Sequence, residues 1–364
     1  MAIDLPTRRR DGAGQHRSRR RGHRRSATDD VRQPHHHLPT MALVGVAIVW
    51  GVTFSVVDSA VPGTSGGSMP PADLVAWRFG LGAFALLILR RRRRRMPSVL
   101  RRRGVVLGVA LGSGFLLQTW AMTYTDATMS AFLTGMLVVI APAAGWLLFR
   151  DRPLPMTLPA VAVAAAGLAA LSLREAGFGP GELLTLAAAC CWAVHLVLLA
   201  RWAEPAFAIE LAALQTGTVC ALALVAVAVR GVVTGSSPVP ELPADGATWL
   251  SVLFLALLAT AGAMVLLSWG QARMSATRAA VILTLEPAIA ALTAAALGGE
   301  SLGGDSLGGD SLGGEFGLRT VVGGLLLLGA MFLVELGGRR DRRTELRVSR
   351  SGPECRPRSR RPPG

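Results

Sequence analysis

Lysine is absent from this chain of 364 residues, and only 17% of the residues are charged. What charge there is gathers in a few arginine blocks, so long stretches carry almost none; that excludes the evenly solvated surface of a soluble domain. Cysteine is scarce. Cys190, Cys191 and Cys220 lie in apolar stretches, where a thiol behaves as a small hydrophobe, and Cys355 lies near the end of the chain, with no disulfide or zinc spacing among the four. Enzymatic constellations are missing as well: there is no glycine-rich phosphate loop, no His-Glu zinc pattern and no serine between nucleophile-elbow glycines. His195 is the only histidine inside an apolar stretch and has no acidic partner nearby in sequence. The three adjacent histidines His35, His36 and His37 fix no coordination geometry. No enzyme, no cofactor and no metal site are therefore expected. The first forty residues also lack the apolar core of a cleavable signal peptide, and none is expected there.

What is present is apolar. Half the residues are hydrophobic and the mean hydropathy is +0.45. A formal charge of +15 would ordinarily point to nucleic acid. Of the thirty-eight arginines, however, ten lie in 1–40, nine in 90–103 and ten after Gly338, each block flanking apolar segments. The positive-inside rule accounts for that pattern, and no nucleic-acid partner is expected. A membrane-crossing helix needs about 20 mostly apolar residues. Ten segments qualify: 41–61, 72–90, 104–124, 128–149, 154–173, 180–200, 206–229, 247–269, 275–297 and 317–337. The amino-terminal block, 90–103, Arg150 with Arg152, Arg201, Arg273 with Arg278, and the carboxyl-terminal block then fall on one side, predicting cytoplasmic termini. Arg230 and Arg319 fall on the other side, against the rule. The reading is an all-α integral membrane protein with disordered arginine-rich tails at 1–40 and 338–364.

The chain is also duplicated. Met129-Ser130-Ala131 reaches Pro142 twelve residues past its serine, and Met274-Ser275-Ala276 reaches Pro287 at the same interval. Tyr124 falls opposite Trp269, and Ala127 opposite Ala272, without a gap. The repeats are 41–173 and 174–337, each with five segments. Five is odd, so the second copy enters the bilayer from the opposite face. Inverted repeats of this kind are typical of secondary transporters, whose halves rock about a midplane site. Gly104, Gly108 and Gly112 place a smooth ridge on the third segment, read as close helix packing. Residues 298–315 carry a glycine-rich acidic pentapeptide, read as an expanded external loop; its period of five differs from that of the nonapeptide calcium repeat.

Polar groups inside a bilayer are costly, so each is a candidate for function. Glu286, in Leu285-Glu286-Pro287, is the candidate for proton coupling. His195 stands three residues after Trp192 just as Thr53 stands three after Trp50, so the two occupy equivalent places in the two copies. Trp50, Thr53, Gln118, Trp192, His195 and Trp269 form the candidate substrate-binding set, aromatic faces holding an organic solute while polar groups orient it. Arg78, Gln215 and Gln271 read as structural. The partners expected are a small-molecule substrate and the lipid bilayer; nothing sets an oligomeric state.

Trp50-Gly51-Val52-Thr53-Phe54, Arg78-Phe79, Tyr124-Thr125 before Ala131-Phe132-Leu133-Thr134-Gly135, Gly181-Glu182 and Leu285-Glu286-Pro287 together resemble the EamA family of the drug/metabolite transporter superfamily, over about 41–337. The resemblance implies ten helices in two repeats, cytoplasmic termini in the inner membrane, and export of small metabolites, often amino acids or related compounds. The expected pathway is lined by helices one, three, four, six, eight and nine. Two departures lie in loops: Asp151 stands where a glutamate is common, and Glu300 and Glu315 bracket the expansion where the family has one Gly-Glu pair. The alternative is a membrane-anchored regulatory or nucleic-acid-associated protein acting through its arginine-rich tails.

Overall fold

The fold is taken from a computed structural model, which describes residues 37–63, 66–90, 95–150, 157–172 and 179–297, together with 322, 323, 325, 326, 329, 330 and 333. All regular structure among the described residues is helical. Eight helical stretches are long and apolar enough to cross a membrane: Leu38–Ala60, Pro71–Leu89, Ser98–Ala121, Ala127–Phe149, Pro180–Trp202, Pro205–Thr234, Gly246–Gln271 and Ala276–Ala294. The fifth expected segment is helical over Thr157–Ser172, with a shorter apolar stretch, Leu158–Gly167. Most of the tenth, 317–337, lies outside the described residues, as do the pentapeptide repeat and the arginine-rich ends.

The first three helices are α1 (Leu38–Ala60), α2 (Pro71–Leu89) and α3 (Ser98–Ala121). The fourth crossing is split into α4 (Ala127–Gly135) and α5 (Leu137–Phe149), and α6 is Thr157–Ser172. In the second half α7 is Pro180–Trp202 and α8 is Ala208–Thr234. The next crossing is α9 (Gly246–Ala256) and α10 (Ala263–Gln271), joined by a π-helical turn over Leu257–Gly262. The last is split into α11 (Ala276–Leu283) and α12 (Leu285–Leu297). α3 begins six residues before the expected 104 and α8 continues five past the expected 229. Hydropathy falls at the first arginine, whereas helical hydrogen bonding continues through it and the side chain reaches for water.

Local chemistry sets several of these boundaries. Asp126 accepts the Met129 amide at 2.7 Å, Asp245 the Thr248 amide at 2.7 Å and Ser275 the Arg278 amide at 3.3 Å, each capping a helix start. Glu182 accepts the Gly179 amide at 2.8 Å and the Thr125 hydroxyl at 2.8 Å, tying the start of α7 to the loop after α3. Pro142 withholds an amide inside α5, six residues beyond the break at Met136, while Pro287 sits in the first turn of α12, where no amide bond is lost. An interruption thus precedes each matched proline, by six residues in the first half and by three in the second.

The glycine ridge of α3 meets α8: a Cβ on Gly108 would stand 2.5 Å from Thr218 Cβ, and one on Gly112 3.3 Å from Val219 Cα. Only glycine lets the two backbones approach so closely. Large apolar side chains such as Phe84, Ile88, Val225, Leu253 and Leu292 are exposed, as a lipid-facing surface requires.

Candidate functional site

Trp50, Thr53 and Phe54 share one face of α1 at intervals of three and four residues, and all three line a cavity in the helical body. Trp192, His195 and Leu196 do the same from α7, with the same spacing, and Leu111, Phe115 and Gln118 from α3. Thr134, Leu137, Leu267, Leu283 and Glu286 complete the lining from the fourth, eighth and ninth segments. Of the sequence candidates, Trp50, Thr53, Gln118, Trp192, His195 and Glu286 are therefore brought together. Trp269 is not among the lining residues: it is half-buried in the last turn of α10, where Arg273 lies 4.1 Å above its ring and donates to its carbonyl at 2.7 Å. Trp120 and Trp146 are exposed.

Phe115 organises the aromatic wall. Its ring makes edge contacts with Trp50 at 6.3 Å and Trp192 at 5.2 Å, and a tilted contact with Phe79 at 4.8 Å. The indole hydrogens are committed to backbone: Trp50 Nε1 donates to Ala259 O at 2.8 Å and Trp192 Nε1 to Leu111 O at 3.4 Å. Ala259 belongs to the π-helical turn, whose wider winding frees carbonyls from the regular ladder. Arg78 uses the same turn. Its Nε donates to Thr260 Oγ1 at 2.8 Å and its Nη2 to Ala259 O at 3.4 Å, with the guanidinium 4.7 Å above the Phe115 ring. Buried to 3% exposure, Arg78 braces the wall from behind through hydroxyl, carbonyl and ring.

The polar groups are individually anchored. Thr53 Oγ1 donates to Trp50 O at 2.6 Å. Gln118 Nε2 donates to Thr134 Oγ1 at 2.8 Å, and Thr134 Oγ1 donates to Ser130 O at 2.8 Å. His195 Nε2 meets Gln215 Oε1 at 2.7 Å, while Gln271 Nε2 donates to Leu196 O at 2.6 Å, so both glutamines serve between helices. Glu286 is 6% exposed, and among the described residues no cation lies within ion-pair distance of it. No group of three or more metal-ligating side chains occurs among the described residues.

Phe115 and Thr134 were not among the sequence candidates for the site, although Thr134 lies in one of the motifs that carry the family resemblance. The available signal for Phe115 was its spacing, three residues before Gln118 on a face shared with Leu111.

α1 reaches this site at Gly51, where an added Cβ would stand 2.5 Å from Ile289 Cβ and 2.9 Å from Glu286 O. Gly51→Val is expected to push α1 from α12, costing about 1–3 kcal/mol of stability. A lower melting temperature together with reduced flux checks this; an unchanged melting temperature would show that α12 yields freely.

Apolar helices of membrane-crossing length around an aromatic and polar cavity have the architecture of a membrane transporter. The EamA-like transporter family model matches residues 38–173 and 179–313, and the chain belongs to that family. A protein of Archaeoglobus fulgidus described as an uncharacterized transporter is 29% identical over 253 residues, covering 69% of this chain and 75% of that relative. A solved crystal structure superposes with a TM-score of 0.61 at 19% identity, covering 83% of this chain and 98% of the other, a likeness of fold alone. The protein is a multi-pass membrane transporter with two EamA repeats, not an enzyme.

Proposed function

We propose that this transporter exports a small organic metabolite, an amino acid, related compound or drug-like solute, across the inner membrane by alternating access. The carrying observation is that Trp50, Thr53 and Phe54 of one half and Trp192, His195 and Leu196 of the other reach one cavity with identical spacing. Two equivalent triplets on a shared cavity are what inverted repeats need in order to expose the same site alternately to either face. On this reading the body comprises ten helices, five in 41–173 and five in 174–337. The substrate contacts are Trp50, Thr53, Gln118, Trp192 and His195, and Glu286 carries the coupling proton. Trp269, set apart from the cavity, is left out of the substrate set.

Untargeted metabolite profiling of cells with and without the protein identifies the solute that accumulates on deletion. With that solute, Trp50→Ala and His195→Ala are each expected to weaken binding by about tenfold at unchanged expression, the order of one lost aromatic or polar contact. Unaltered affinity in both would move the site elsewhere in the bundle.

Orientation has its own test. Reporter fusions after Arg95 and after the carboxyl-terminal arginine block are expected to report cytoplasm, and a fusion within 301–314 the exterior. An exterior signal from the 90–103 loop would overturn both the orientation and the inversion of the repeats.

A further inference from the structure

The hydrogen-bond directions around the cavity carry information about the solute. Gln215 Nε2 donates to Leu211 O at 3.2 Å, a carbonyl that can only accept, so the amide nitrogen is fixed on that side. Gln215 Oε1 then faces His195 Nε2 at 2.7 Å, and since this oxygen accepts, Nε2 carries the hydrogen. A neutral ring in that tautomer presents Nδ1 as an acceptor. The same logic fixes Gln118. The Thr134 hydroxyl donates to Ser130 O, so its oxygen accepts from Gln118 Nε2, leaving Gln118 Oε1 without a partner in the protein. The Thr53 hydroxyl hydrogen is on Trp50 O, and both indole hydrogens are on backbone carbonyls.

The donor and acceptor balance is therefore one-sided. With the coupling proton released from Glu286, its carboxylate joins Thr53 Oγ1, Gln118 Oε1 and His195 Nδ1 as acceptors, and none of them is a fully enclosed orphan atom. The donor left among these groups is one amide hydrogen of Gln118. The cation nearest the aromatic wall, Arg78, lies behind Phe115 with its nitrogens on Thr260 and Ala259, outside the cavity lining. The walls add the electron-rich faces of Trp50, Phe115 and Trp192, which attract cations.

We infer that the cavity selects an organic ammonium, a solute whose charged head donates several hydrogen bonds, over a carboxylate of the same size. The inference rests on the substrate site proposed above and narrows its chemistry. In the proton-released state an ammonium head finds acceptors, a carboxylate and aromatic faces, whereas a carboxylate head meets bare acceptors and a like charge.

The test uses the full-length protein in lipid nanodiscs and three near-isosteric probes, 2-phenylethylammonium, 2-phenylethanol and phenylacetate, titrated calorimetrically. The ammonium is expected to bind at least about tenfold more tightly than phenylacetate, since hydrogen bonds involving a charged group are the stronger ones. Phenylacetate binding as tightly as the ammonium, or no ammonium binding at millimolar concentration, would overturn the inference. Trp50→Ala and Trp192→Ala separate the two levels. If they weaken probe binding while the head groups are not distinguished, the site stands and the acceptor-lined selectivity fails. If every affinity is unchanged in both variants, the site itself is misplaced and the inference falls with it.

Discussion

Glu286→Gln is expected to abolish pH-driven solute accumulation in proteoliposomes while leaving folded yield in place, with solute binding weakened but retained. The side chain is 6% exposed and lines the cavity, and no cation pairs with it among the described residues. An isolated carboxylate without water or a counter-charge is expensive to bury. The buried guanidinium of Arg78 does not relieve that expense, since its Nε and Nη2 donate to Thr260 and Ala259, it lies over Phe115, and it makes no ion pair with Glu286. In the cycle proposed above, binding a proton lets the cavity close over Glu286 without a bare charge, and releasing it on the other side completes the cycle. Glutamine keeps the shape and the neutral state but cannot exchange the proton, so accumulation should fall to the level seen without a pH gradient while facilitated exchange persists. If pH-driven flux were unchanged and the amount of folded protein fell, Glu286 would be structural and the coupling scheme wrong.

The cavity was legible from sequence where the duplication and helical spacing agree. Trp50 with Thr53 and Trp192 with His195 repeat the same interval in the two halves, and both pairs reach the cavity. Trp269 shows the limit of the same reasoning. It aligns with Tyr124 across the repeat, and both lie near the end of a crossing: Tyr124 is 58% exposed in the turn after α3, and Trp269 is half-buried in the last turn of α10. Equivalence placed both at the end of a crossing, where amphipathic aromatics gather, and depth along the helix separated Trp269 from the site. The π-helical turn at Leu257–Gly262 left no trace in the hydropathy pattern, because an apolar stretch reads alike whether it winds as an α- or a π-helix. Arg78 was legible only as a structural residue; its partners, a carbonyl and a hydroxyl on that turn, were not.

Asp73→Ala is expected to lower stability by about 3 kcal/mol, and it concerns Arg230, one of the two arginines that break the positive-inside pattern. Arg230 lies near the end of α8, and its Nη1 is 3.1 Å from Asp73 Oδ1, an ion pair whose acidic side chain is fully buried. Asp73 Oδ2 also accepts the Glu241 amide at 2.8 Å, and Trp77 Nε1 donates to the Glu241 carbonyl at 2.8 Å, fastening the loop after α8 onto α2. Removing the carboxylate leaves a part-buried guanidinium and an amide unsatisfied together, the costly way to break a buried pair. Glu241 provides the internal control. Its side chain is 51% exposed and 3.5 Å from Arg230 Nη2, so Glu241→Gln should change stability by less than about 1 kcal/mol. Thermal melting of the purified protein in detergent compares the two variants directly. Equal, small shifts for both would mean that solvent reaches Asp73 and that the local anion balances Arg230 without holding the loop to α2.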